Sequence, residues 1–145
     1  MRYSIYAMAL FAMTGALACS ERDVDRDGYV RANEAVLASV PAESRAELAG
    51  TTSAPYYKGD GAGAPVAGYT TTRVYRFAPG STPEAVAAFY ERRLPTGWQL
   101  VERLPAQGGA GPVLNFRRGR AALSVNLENA SYGTYELTAD HDAYG

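Results

Sequence analysis

Thiol, imidazole and indole side chains are almost missing from this chain: one Cys, one His and one Trp occur in 145 residues. A single cysteine excludes an internal disulfide framework and a thiolate zinc cluster within one chain. Lysine is as scarce, Lys58 being the one example, so the other basic residues are all arginine. Neither sign of charge dominates. The formal net charge of −1 argues against a nucleic-acid binder, which would show a strongly basic domain. A membrane-length apolar run is absent too: the predominantly apolar stretch near the N-terminus covers residues 3–18, short of the roughly 20 apolar residues that span a bilayer. What is present, 47% hydrophobic and 20% charged residues, is the composition of one ordinary globular domain.

The N-terminus carries an address. Arg2 precedes the apolar stretch, which closes on Ala16 and Ala18 ahead of Glu21, Arg22 and Asp23. A charged start, an apolar middle and small residues at the cut form a secretory signal pattern over residues 1–18. The lone cysteine follows directly: Ala16-Leu17-Ala18-Cys19 resembles a bacterial lipobox, in which cleavage leaves the cysteine as the new first residue. The resemblance implies a lipoprotein held to the outer side of a bacterial cell membrane by acyl chains on Cys19. At about 0.8 kcal/mol per buried methylene, two or more chains give a stable anchor. Ala16-x-Ala18 also suits ordinary signal peptidase, which would cut the same bond and leave a secreted soluble protein with a free thiol. Either cut removes Arg2 and leaves 13 basic against 15 acidic side chains. Overall charge would then attract the chain neither to DNA nor to anionic lipid.

Next comes an acidic string, DVDRDGYVRANE over residues 23–34. It resembles an EF-hand calcium loop at all twelve positions. Calcium takes 6–8 oxygens at about 2.3–2.6 Å, and alternate residues of a tightly wound loop point inward. The resemblance implies carboxylate ligands from Asp23, Asp25 and Asp27, a backbone carbonyl from Tyr29 and a closing bidentate Glu34. Gly28 would permit the turn. The context departs from the pattern, since only residues 19–22 precede the loop and no second loop pairs with it. The alternative is an acidic tether beside the anchor, kept solvated by its charges. Calcium is the one cofactor the sequence suggests.

The remainder divides into a short helix and Pro/Gly-rich linker over 35–65 and an α+β domain over 66–145. Ala35, Val36 and Val40 fall near helical spacing, so a helix is expected over 31–40, ended by Pro41. Residues 41–67 read as loop, with three prolines and the run Gly59-Asp60-Gly61-Ala62-Gly63. That run lacks the strand, the GK[ST] ending and the helix that a phosphate-binding loop needs. From residue 67 a β-branched, aromatic alternation predicts a strand to 77. Ser81 and Glu84 then bracket a capping box with Pro83 early in the helix. Val86, Phe89, Tyr90 and Leu94 form its apolar stripe. Strands are expected at 98–104, 113–118, 121–128 and 134–140, joined by short links that favour antiparallel pairing. The expected fold is therefore β-α-β-β-β-β, one main helix on a mostly antiparallel five-stranded sheet. From Tyr69 through APGSTPEAVAAFYERRLPTGWQLVERL to LNFRRGRAALSVNLE, the chain resembles small secreted lipoproteins of bacteria, a group of unknown function. The resemblance implies this fold and an envelope address, and it brings no catalytic residue.

One helix covers one face of such a sheet and leaves the other open. Alternation sends Leu114, Phe116, Leu123, Val125, Leu127, Tyr135 and Leu137 to the core. It sends Asn115, Arg117, Ser124, Asn126 and Glu136 to the open face, where they suit either solvent or a polar partner such as a glycan or an envelope protein. Arg92-Arg93 and Arg117-Arg118-Gly119-Arg120 are the basic spots, and salt pairing with acidic loops is their expected use. His141 lies between Asp140 and Asp142, but adjacent strand residues point to opposite faces. No GxSxG, second histidine or cysteine partner accompanies it, so a structural or exposed role is expected. The sequence thus points to a lipid-anchored extracytoplasmic module without catalysis or nucleic-acid binding, the alternative being a calcium-binding secreted protein.

Overall fold

The computed structural model describes residues 24–43, 45–108 and 110–145. The signal segment, Cys19 and Asp23 lie outside the described residues. The chain is α+β, with two α-helices and a six-stranded antiparallel sheet. In chain order these are α1 (Arg26–Ala38), β1 (Glu47–Tyr57), β2 (Val66–Arg76), α2 (Pro83–Arg93), β3 (Gln99–Leu104), β4 (Val113–Arg118), β5 (Ala121–Asn126) and β6 (Thr134–Asp140). The expected arrangement of five strands and one main helix is right in class and short by one strand. Strand β1 occupies what reads in sequence as linker. The Gly-rich run at 59–63 is the tip of the β1–β2 hairpin, with Gly59 and Gly63 at positive φ.

Strand order is β1-β2-β6-β5-β4-β3. Helix α2 carries the chain from β2 to the far edge, and the meander β3-β4-β5-β6 returns until β6 pairs with β2. The register sets Tyr75 opposite Tyr135, Leu137 opposite Val125, and Leu123 opposite Phe116. These residues share one face and form the core together with Val36 and Leu37 of α1 and Val86, Ala87 and Tyr90 of α2. Tyr90, Tyr135, Leu114 and Val125 are fully buried. Both helices therefore cover the same side of the sheet.

The helix ends differ from their sequence reading. Helix α1 starts at Arg26 rather than at 31, because Asp25 serves as its N-cap and accepts from the Asp27 and Gly28 amides at 3.2 Å each. In α2 the capping oxygen belongs to Thr82, not Ser81, and accepts from Ala85 N at 3.1 Å. Pro83 follows in the first turn, where its missing N–H leaves no helix bond unmade.

Candidate functional site

Residues on even positions of β2, β5 and β6 face away from the helices, and the register aligns them across strands. Thr72 lies opposite Thr138, Thr138 opposite Ser124, Ser124 opposite Asn115, and Asn115 opposite Glu102. Five strands thus present one continuous polar row, with rungs about 4.7–4.9 Å apart. Two pairs in the row bond to each other: the Thr72 and Thr138 hydroxyls at 2.8 Å, and Asn115 Nδ2 donating to Glu102 Oε2 at 2.8 Å. Between them, the Ser124 hydroxyl has no hydrogen-bond partner among the described residues.

Over this row opens a cleft of about 310 Å³. Its floor includes Thr70, Ser124 and Thr138, and one side is formed by Ala143 and Tyr144 of the C-terminal turn. Asn115 and Ser124, assigned to the open face from sequence, line it, whereas Arg117, Asn126 and Glu136 do not. Asn126 Nδ2 reaches Glu128 at 3.4 Å and Glu136 accepts from Asn129 at 3.4 Å, so both serve the nearby turn. Arg117 stacks its guanidinium 4.3 Å from the Tyr144 ring centroid, and Arg118 lies 4.6 Å from that of Trp98. Of the three arginines in this hairpin only Arg120 makes the expected salt bridge among the described residues, to Asp142 at 2.6 Å. Aromatic rings take the other two cations.

One end of the cleft is built by Asp140, and here the acidic N-terminal string finds its use. The Tyr29 hydroxyl donates to Asp140 Oδ1 at 2.8 Å and lies 2.8 Å from the Tyr56 hydroxyl. A phenol has one proton, so with that proton on the carboxylate, Tyr56 is the donor between the two phenols. Asp142 N also donates to Asp140 Oδ1, at 2.9 Å. Burial, then the Tyr56 and Asp140 hydrogen bonds, holds the Tyr29 hydroxyl far above the ordinary phenol pKa. Gly68 makes room for the pair: a Cβ there would land on the Tyr56 and Tyr29 hydroxyls.

His141 docks beside this network. Buried Asn33 donates through Nδ2 to Tyr69 O at 2.6 Å, which fixes its Oδ1 as the acceptor for His141 N at 2.8 Å and Nδ1 at 2.9 Å. The proton therefore sits on Nδ1. The Tyr29 ring packs edge-on against the imidazole, with centroids 4.1 Å apart. No hydroxyl or thiol nucleophile bonds the ring among the described residues.

Within the string that resembles a calcium loop, residues 26–34 are helical, and Asp23 lies outside the described residues. Asp25 caps the helix, Asp27 is exposed, Tyr29 holds Asp140, and Glu34 accepts from Arg73 at 2.6 Å. Burial works against the Arg73 charge, and the Glu34 carboxylate more than offsets it, holding the guanidinium above its ordinary pKa. Among the described residues no cluster of three or more Asp, Glu, His or Cys could hold a metal ion. Alternation in the sequence exposes the row's even positions, but the assembly of Glu102, Thr70 and Tyr144 depends on long-range pairing and on a C-terminal turn that carries no periodic signal. Comparison of the chain with protein-family models, curated proteins and solved structures finds no match.

Proposed function

We propose that this protein is a lipid-anchored, extracytoplasmic binding module that recognises a polar partner in the cell envelope through its open sheet face and carries out no chemistry of its own. The observation that supports this reading best is the cleft over the polar row, on the sheet face that neither helix covers. Groups fixed on paired strands lose little freedom on binding, so such a platform suits recognition. His141, the one imidazole, is engaged through Nδ1 and has no nucleophile beside it among the described residues, which favours recognition over catalysis. The anchor rests on Cys19 behind a signal pattern. Six residues, 20–25, separate it from α1, a tether of at most roughly 20 Å that would hold the module close to the bilayer.

Site-specific photo-crosslinking in cells producing the full chain tests the recognition face. The crosslinker is placed at Ser124 or Asn126 on the open face and at exposed Arg92 on α2. Envelope adducts confined to positions 124 and 126 support the reading. Adducts equally strong at 92, or none at any position, overturn it. The anchor is tested separately by growth with a clickable fatty acid, which should label the wild-type chain and leave Cys19→Ser unlabelled; an unlabelled wild type removes the anchor.

A further inference from the structure

We infer that the cleft is a carbohydrate site, taking a neutral mono- or disaccharide unit with Tyr144 as its stacking wall. The inference rests on the open-face reading above and narrows it to one ligand class.

Three features carry it. The first is the wall. Tyr144 is 45% exposed, yet its ring is held on Arg117, its amide donates to Arg120 O at 3.0 Å, and Arg120 in turn grips Asp142. An exposed aromatic ring fixed before binding is a platform of low entropic cost. The C–H face of a pyranose is the polar ligand surface that such a ring complements, because its hydrogens carry partial positive charge and the ring face is negative.

The second is the floor. Thr138, Ser124 and Asn115 stand on adjacent strands in one row, at a spacing close to the width of a sugar ring. Hydroxyls donate and accept, and an amide does both through separate atoms, which is the mixed capacity that vicinal sugar hydroxyls require. The Ser124 hydroxyl, unpartnered at the centre of the row among the described residues, is the group a ligand would engage first.

The third is charge. Glu102 and Asp140 line the cleft, and no lining residue is basic. Carboxylates make strong charge-assisted bonds to hydroxyl donors and repel phosphates, sulfates and uronates. A cleft of about 310 Å³ lies at the small end of ligand sites, roughly 300–1,000 Å³, which limits the bound portion to one or two rings.

The test applies the full mature chain to an array of neutral glycans with uronate and sulfated glycans as its anionic arm. Wild type should retain neutral glycans and pass over the anionic ones. Tyr144→Ala should weaken retention about tenfold and Ser124→Trp, which fills the cleft, should abolish it. Ser124→Ala removes one hydroxyl without adding bulk and should weaken retention several-fold, which keeps the test sound if the tryptophan variant fails to fold. An array with no neutral glycan retained, or retention unchanged in Tyr144→Ala and Ser124→Ala, overturns the inference. If the array is empty while crosslinks at 124 and 126 capture a protein, the sugar is wrong and the open-face reading stands. If both are empty, both fall.

Discussion

Tyr29 joins three parts of the molecule through one hydroxyl: it stands on α1, donates to Asp140 at the end of β6 and accepts from Tyr56 at the end of β1. Tyr29→Phe would keep the ring against His141 and remove both bonds. A buried acceptor left short of a donor costs about 1–3 kcal/mol, and urea denaturation should show a loss of that size. Tyr135→Phe should behave differently. The Tyr135 hydroxyl is buried facing the Tyr90 hydroxyl, at no well-formed hydrogen-bond geometry among the described residues, so its removal should leave neutral-pH stability nearly unchanged, by the same assay. Gly68→Ala belongs with Tyr29→Phe: its methyl would displace the two phenols, at roughly 1–3 kcal/mol for overpacking. None of this is legible in the sequence around Tyr29. Aspartates and a glycine ahead of a helix satisfy a cation loop and an N-cap equally well. Tyr29 meets Asp140 only because the fold brings residues 111 positions apart together.

At the scale of elements, strands β4, β5 and β6 and helix α2 could be read directly, because their apolar periodicity matches a one-sided burial. Leu114, Phe116, Leu123 and Val125 alternate cleanly and are all buried. Strand β1 gave no such signal for a physical reason: it is an edge strand, exposed along most of its length, so burial imposes no alternation on it. Its Gly50 follows a register shift and its Pro55 sits on the edge, where a missing N–H is tolerated. The opposite edge, β3, carries Glu102 and Arg103 and a register shift of its own. Bulges and charges of this kind discourage edge-to-edge association. An edge strand with few buried side chains should also open first. Amide hydrogen exchange should therefore run faster in β1 than in β5 or β6; equal protection in all three would show that β1 opens only with the whole sheet.

For the molecule as a whole, burial of phenols on several elements sets a limit at high pH. Tyr29 on α1, Tyr56 on β1, Tyr90 on α2 and Tyr135 on β6 all have pKa values raised in the fold, chiefly by burial. Tyr135 is pushed up to about 12. An unfolded tyrosine ionises near pH 10. Below that pH neither state is ionised, and the contribution of these phenols to stability is fully present. Above it the unfolded chain releases protons that the folded chain retains, so stability falls as pH rises. For Tyr135 that loss accumulates between about pH 10 and 12, and for Tyr29 and Tyr90 it continues beyond. Alkaline unfolding should therefore be cooperative, with tyrosinate absorbance from the buried phenols rising together with the loss of sheet circular dichroism. Tyr135→Phe removes one linked proton and should move the alkaline midpoint upward while leaving the neutral-pH melting temperature nearly unchanged. A midpoint that stays in place, or absorbance from the buried phenols that rises before the sheet is lost, would mean that these hydroxyls reach solvent without unfolding and that the core between helices and sheet opens more readily than its packing implies.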